Sequence, residues 1–327
     1  MPPNASWSEL ATMTIESRTR ELADNFSVST ALMFRLKQKG KIKFWTGGTS
    51  ILQELEYAEN GTFNWFAGYD EVDISPSDVF TVANFAPKQA SVAVTISKLE
   101  QLQNSGKEQM IDLLESRISN AERTIMQRVG LAMYGDGTAS GGKAIGGLNY
   151  LVPTDPTTGI VGGINRALWT FWQPFLADHS VGIGSGSVTP GSSTIQSMMN
   201  YTYLNTSRNN DSVDLIVADN TYYGYYWASL QGNQRFTNAK LAEAGFENIR
   251  FMGADVVFDG GVGGGIDANT MFFLNTNYVH FRPHKDAYFV AAEPDRYSVN
   301  QLAMVKLLHF AGNMTLSNSK LQARIQN

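Results

Sequence analysis

An α+β fold is predicted by three features of the sequence. Runs with strand character open and close the chain, a long helical apolar repeat stands between them, and a segment mixing strands with helices is inserted before the closing runs. At 327 residues the chain has about two domains' worth of length and can bury a sizeable core. No period of roughly 20 to 50 residues repeats itself, which disfavours solenoids and propellers.

Residues 8–24 alternate apolar and charged positions, with Leu10, Met13, Leu22 and Ala23 suited to one face of a short peripheral helix. Arg35, Lys37, Lys39, Lys41 and Lys43 follow at two-residue spacing with no acid among them, and an extended chain would set all five on one side. From Phe44 to Pro87 the sign reverses: Glu54, Glu56, Glu59, Asp70, Glu71, Asp73 and Asp78 occur without a lysine or arginine. Within this acidic stretch Ile51–Tyr57, Thr62–Phe66 and Val79–Ala83 read as strands, and Glu59-Asn60-Gly61 supplies a turn. A long, partly exposed β-hairpin is expected.

Val92–Ile96 reads as the next strand. Ser105-Gly-Lys-Glu108 then has the spacing of a capping box, in which two side chains satisfy orphan backbone donors at a helix start. Ile111, Leu114, Ile118, Ile125, Val129 and Ala132 repeat at helical intervals through Tyr134, and Gly135-Asp-Gly137 breaks the pattern. A helix over 105–134 would be about 40 Å long, more than most compact domains need. Loops dominate 141–191, around an aromatic island at Trp169–Trp172. A helix is expected over 194–207, a strand at Val213–Val217, a helix begun by Asp219, a short helix over 237–244 and a strand at Asp255–Phe258. After the glycine tract Gly260–Gly265, strands at 271–275, 278–282, 286–291 and 302–310 are expected to close the chain as an antiparallel sheet.

Composition narrows the function. A net charge of −5 offers no overall cationic field for nucleic acid, and the absence of cysteine removes thiol nucleophiles, thiolate zinc sites and disulfides. The first residues lack the features of a secretory signal and no stretch of about 18 apolar residues occurs, so a soluble, non-secreted chain with no membrane partner is expected. Gly137–Lys143 fits G-x-x-x-x-G-K, but Ala144 stands where a magnesium-binding hydroxyl belongs, and a helix precedes the motif where a phosphate loop has a strand. His280 and His284 share a face of a strand without an evident third ligand, which favours structural histidines over a metal site. No G-x-S-x-G elbow occurs, and the carboxylates at 54–78 lie along a hairpin instead of converging on a pocket. Tyr222–Trp227 could stack a sugar or base, but on a capped helix such a cluster more often packs a core. The basic run has three readings: a phosphate contact, a pairing with the acidic hairpin of another copy, or a solvated face.

One group of motifs carries a resemblance. Asn104–Glu108, Ile111–Glu115, Asn120–Thr124, Tyr134–Thr138 and Ile145–Leu148, followed in order by Val217–Tyr223, Ala228–Gln231, Gly253–Phe258 and Phe272–Asn275, resemble tailed-bacteriophage major capsid proteins of the Hong Kong 97-type fold. The likeness runs from about residue 44 to the end. It implies an N-terminal arm (1–43), an extended loop (44–91), a peripheral domain (92–148 and 270–327, with a spine helix over about 105–134) and an axial domain (149–269).

It further implies self-assembly into hexamers and pentamers of an icosahedral shell around double-stranded DNA, held non-specifically on the inner face. Portal, scaffolding and decoration proteins are the implied partners, the virion the location and the host bacterial cytoplasm the place of assembly. No catalysis and no cofactor are implied. Some family members lock the shell with an isopeptide bond from a loop lysine; the hairpin here has none, so no such cross-link is expected. The expected assembly contacts are Arg35, Lys37, Lys39, Lys41 and Lys43 of one copy with Glu54, Glu56, Glu59, Asp70, Glu71 and Asp73 of another. An encapsulin-like nanocompartment shell and, from a different class, a carbohydrate-binding or adhesion module using Trp169, Trp172 and Tyr222–Trp227 are the alternatives.

Overall fold

The computed structural model describes residues 30–326 apart from 104–112, 179–187, 210, 231–248, 262 and 298–302. The expected helices over 8–24 and 237–244, and the capping box at 105–108, lie outside the described residues.

The chain begins with helix α1 (Ala31–Gln38), and here the extended reading of the basic run fails. Leu32 and Leu36 stand four residues apart and are fully buried, so this segment gains more as an amphipathic helix than as a strand of alternating charge. Gly40, at φ +66°, stops the helix: its N–H bonds to Lys37 O and that of Lys41 to Leu36 O, the paired bonds of a Schellman motif. Beyond it the chain does become extended. Ile42 and Trp45 bridge in parallel to Phe281 and His284, adding a short edge to the last long sheet. Within the segment implied above to be an arm, Ala31, Leu32, Leu36 and Ile42 therefore pack against the core of their own chain.

The hairpin follows as β1 (Ile51–Glu56) and β2 (Phe80–Phe85), paired antiparallel from Ile51↔Phe85 to Glu56↔Phe80. Thr62–Phe66, expected as a strand, is irregular because no segment of its own chain pairs with it among the described residues. β3 (Lys88–Ser97), a short helix α2 (Lys98–Gln103) and the long helix α3 (Leu113–Ala132) come next. After a small helix α4 (Leu148–Leu151) and the two-residue strands β4 (Ile160–Val161) and β5 (Ile164–Asn165), the chain enters a six-stranded sheet.

That sheet contains β6 (Phe175–Asp178), β7 (Leu215–Ala218), β8 (Ile249–Phe251), β9 (Ala254–Phe258), β10 (Thr270–Leu274) and, after the long strands β11 (Val279–Tyr297) and β12 (Ala303–Leu316), β13 (Ala323–Gln326). Its order is β6-β13-β10-β7-β9-β8. Helices α5 (Ile195–Thr206) and α6 (Asn220–Ser229) cover one face, and the Asp219 side chain caps α6 by accepting from the N–H groups of Thr221 and Tyr222. Alternate residues serve two cores. Ile216, Ala218, Met271 and Phe273 pack with α5 and α6, while Leu215, Val217, Phe272 and Leu274 join the core shared with α1, α3 and the hairpin base. A sheet buried on both faces explains its near-continuous apolar strands.

The closing strands therefore do not form one antiparallel sheet. β10 and β13 belong to the six-stranded sheet, whereas β11, β12 and β3 form a second sheet of three. The six-stranded sheet thus draws strands from both sides of the boundary expected at 269/270. The runs at 278–282 and 286–291 are one strand, interrupted by register shifts between Pro283 and Tyr288 and between Tyr288 and Val290. The break in the sequence pattern is a β-bulge, with Phe289 at φ +56°.

The glycine tract is a tight turn against the foot of α3. A Cβ on Gly265 would lie 2.5 Å from the Tyr134 ring, and one on Gly264 2.6 Å from Asp259 O.

Candidate assembly surfaces

The five expected cations divide between the interior and the surface. Arg35 is 1% exposed and meets the Asp255 carboxylate at 3.5 Å; Lys39 meets Asp214 at 2.6 Å. Both carboxylates come from the six-stranded sheet region, and a third from there, Asp259, accepts the N–H of Leu32 and the hydroxyl of Tyr134. Thr30 makes no side-chain cap, so Asp259 caps α1 from a distance, and its burial raises its carboxyl above the usual range. Asp214, Asp255 and Asp259 are structural partners of α1 and the basic run that its sequence does not signal.

Lys37, Lys41 and Lys43 remain. None has a carboxylate partner among the described residues. Because Ile42 lies opposite Phe281 in the parallel bridge, with Lys43 N bonded to Phe281 O, the flanking Lys41 and Lys43 run beside His280 and Arg282. Burial, with the fields of Lys43, Lys41 and Arg282, presses His280 down to about 4, so it is neutral at pH 7. His284 packs edge-on against Trp45, with ring centroids 4.9 Å apart. Among the described residues no three histidine, aspartate or glutamate side chains converge as a metal site.

The acidic surface is the hairpin. Ile51 and Leu55 point inward, while Leu52, Glu54 and Glu56 point outward beside Asn84, Val82 and Phe80 of β2. Glu59, Asp70, Glu71 and Asp73 are all exposed along the irregular tip. Hydrogen bonds from Ser75 hold the Asp73 carboxyl below its ordinary range. No ion pair joins these acids to residues 35–43 of the same chain among the described residues. The tip also carries bare apolar groups: Trp65 is 87% exposed, Ile74 91% and Phe63 74%.

A cleft of about 500 Å³ lies at the hairpin base, lined by Tyr57, Asp78, Phe80, Val82, Trp169 and Phe171 among others. Tyr57 packs on Trp169 and on Phe171, each at 5.6 Å between centroids. Trp172, in contrast, is buried and donates its indole N–H to Val161 O. In the other aromatic cluster Tyr222 and Tyr226 are buried in the second core, which leaves them unavailable for stacking a ligand. The Gly137–Lys143 loop is a single irregular turn in which Ser140, Gly141 and Gly142 have positive φ.

Comparison with known proteins rests on structure. No family model and no curated protein matches the sequence. The capsid asymmetric unit of Cyanophage A-1(L) matches with a TM-score of 0.68 at 15% identity, covering 94% of this chain and 95% of that one. This end-to-end match decides the fold. It is the Hong Kong 97-type capsid fold. Two further structures match along nearly the whole chain. One is the capsid of Myoviridae Phage XM1, with a TM-score of 0.55 at 11% identity over 95% of this chain and 97% of that one. The other is the SrpI encapsulin complex from Synechococcus elongatus PCC 7942, with 0.55 at 7% over 97% and 94%.

Proposed function

We propose that this protein is the major capsid protein of a tailed bacteriophage, assembling into hexamers and pentamers of an icosahedral shell around double-stranded DNA. The observation that carries the reading is the match to a phage capsid structure over 94% of the chain. In that reading α3 is the spine helix, the hairpin the extended loop, the three-stranded sheet the peripheral domain and the six-stranded sheet the axial domain. The chain functions in the virion, is assembled in the bacterial cytoplasm, and works beside portal, scaffolding and decoration proteins.

Physical chemistry supports self-association. A strand hairpin with acids and bare aromatic side chains on one chain is an aggregation hazard unless a partner covers it. The acidic positions Glu54, Glu56, Glu59, Asp70, Glu71 and Asp73 complement the cations of a neighbouring copy. Arg35 and Lys39 are already paired internally, so Lys37, Lys41 and Lys43 carry that contact. Each exposed pair contributes only about 0.2–1 kcal/mol, but a shell repeats it many times.

The test is size-exclusion chromatography at low and high salt followed by negative-stain electron microscopy. Closed shells, or hexamers and pentamers that loosen as salt rises, are expected. Shells that take up a protein cargo and no DNA during expression favour the encapsulin-like reading, and a monomer in every condition overturns shell formation.

A further inference from the structure

Strand β2 has an outer edge that its own chain leaves open. Beyond its ladder with β1, β2 makes one backbone hydrogen bond among the described residues, from Asn84 N to Gly162 O. Asn84 therefore points its backbone groups away from β1, and by strand alternation Val82 and Phe80 do the same. Past Asn84 the Gly163–Phe171 segment diverges from β2, and the space between them is the aromatic cleft. Unpaired strand backbone thus faces a pocket walled by Tyr57, Trp169 and Phe171, with the Asp78 carboxylate as an acceptor.

The complementary piece is on the same chain at another place. Thr62–Phe66 has the alternation and side chains of a strand, yet no ladder partner among the described residues. Phe63 and Trp65, two residues apart, pack edge to face at 5.6 Å while remaining 74% and 87% exposed. That is the spacing at which a strand sets alternate side chains on one face.

Resting on the shell reading, we propose that Thr62–Phe66 of one copy adds as a strand to the outer edge of β2 in a second copy. Phe63 and Trp65 then enter the Tyr57–Trp169–Phe171 cleft, and the Trp65 indole N–H meets Asp78. Backbone bonds give such an addition its affinity, and alternate side chains in pockets give it specificity. The two surfaces are different patches of one chain, so the contact is head-to-tail and can propagate from copy to copy, as the ring of a capsomer requires.

The absence of cysteine makes a direct test available. Asn64→Cys and Val82→Cys, whose side chains share the face opposite Tyr57 when Phe63 and Trp65 fill the cleft, are introduced together, the protein is assembled, oxidised and run on a non-reducing denaturing gel. A ladder of linked subunits in the double variant, absent from both single variants, is expected. Shells or capsomers that assemble without a ladder overturn this contact alone; a monomer under every condition overturns the shell reading and the contact with it. Dimers from Val82→Cys alone place two β2 edges side by side and overturn it as well.

Val82→Pro supplies a second arm, since it removes an outward N–H that the β1–β2 ladder does not use. It is expected to raise the concentration needed for assembly by about tenfold or more while leaving the monomer's thermal midpoint unchanged. Wild-type assembly by a folded Val82→Pro chain overturns the proposal.

Discussion

Asp255 faces two arginines that differ only in exposure, Arg35 at 3.5 Å with its side chain 1% exposed and Arg250 at 3.3 Å with 53%. Removing the buried guanidinium empties a packed site and leaves Asp255 only the exposed Arg250, so Arg35→Ala is expected to cost about 3 kcal/mol in urea unfolding of the unassembled chain. Arg250→Ala is expected to cost under about 1 kcal/mol, because water screens the exposed pair. His280 sets a pH dependence. Its folded value of about 4 lies below that of an unfolded histidine, so the unfolded chain binds the extra proton first. Its contribution is fully present above about pH 6.5 and lost as pH falls toward 4. His280→Phe is expected to flatten the urea midpoint across that window. At this scale the sequence was a partial guide. It marked Arg35 as charged and His280 as structural, but a carboxylate 220 residues away in the chain leaves no local sign of the pairing.

α3 passes so close to the start of α1 that a Cβ on Gly130 would lie 2.5 Å from Thr30 Oγ1 and 2.9 Å from its Cγ2. Alanine gains about 1 kcal/mol of helix propensity over glycine, but overpacking costs about 1–3 kcal/mol. Gly130→Ala is therefore expected to lower the thermal midpoint, and Thr30→Ala in the same chain to restore most of it. Elements with a local cause were legible: the apolar repeat of α3, the Asp219 cap of α6 and the turn residues after Tyr134. The basic run was misread because its charges alternate every second residue while Leu32 and Leu36, which decide its burial, are four apart. Thr62–Phe66 has strand chemistry without a strand, since pairing depends on a partner that the sequence pattern cannot place. The closing strands were found, but which sheet each joins is a long-range matter of register.

In the proposed shell, charge reversal at lysines with no carboxylate partner among the described residues tests the contact between copies. Lys37→Glu with Lys43→Glu is expected to weaken assembly at low salt by up to about tenfold per contact while leaving the unfolding curve of the monomer unchanged. Unaltered assembly at every salt concentration, read by size-exclusion chromatography, removes the electrostatic contact. Beside its acids the hairpin offers a second copy the bare side chains of Trp65, Ile74 and a fully exposed Tyr69. That balance has a thermal meaning. Apolar burial loses strength on cooling, and the desolvation that opposes ion pairing eases on warming. Both contributions run the same way, so subunits joined through this hairpin hold tightest when warm and come apart most readily in the cold.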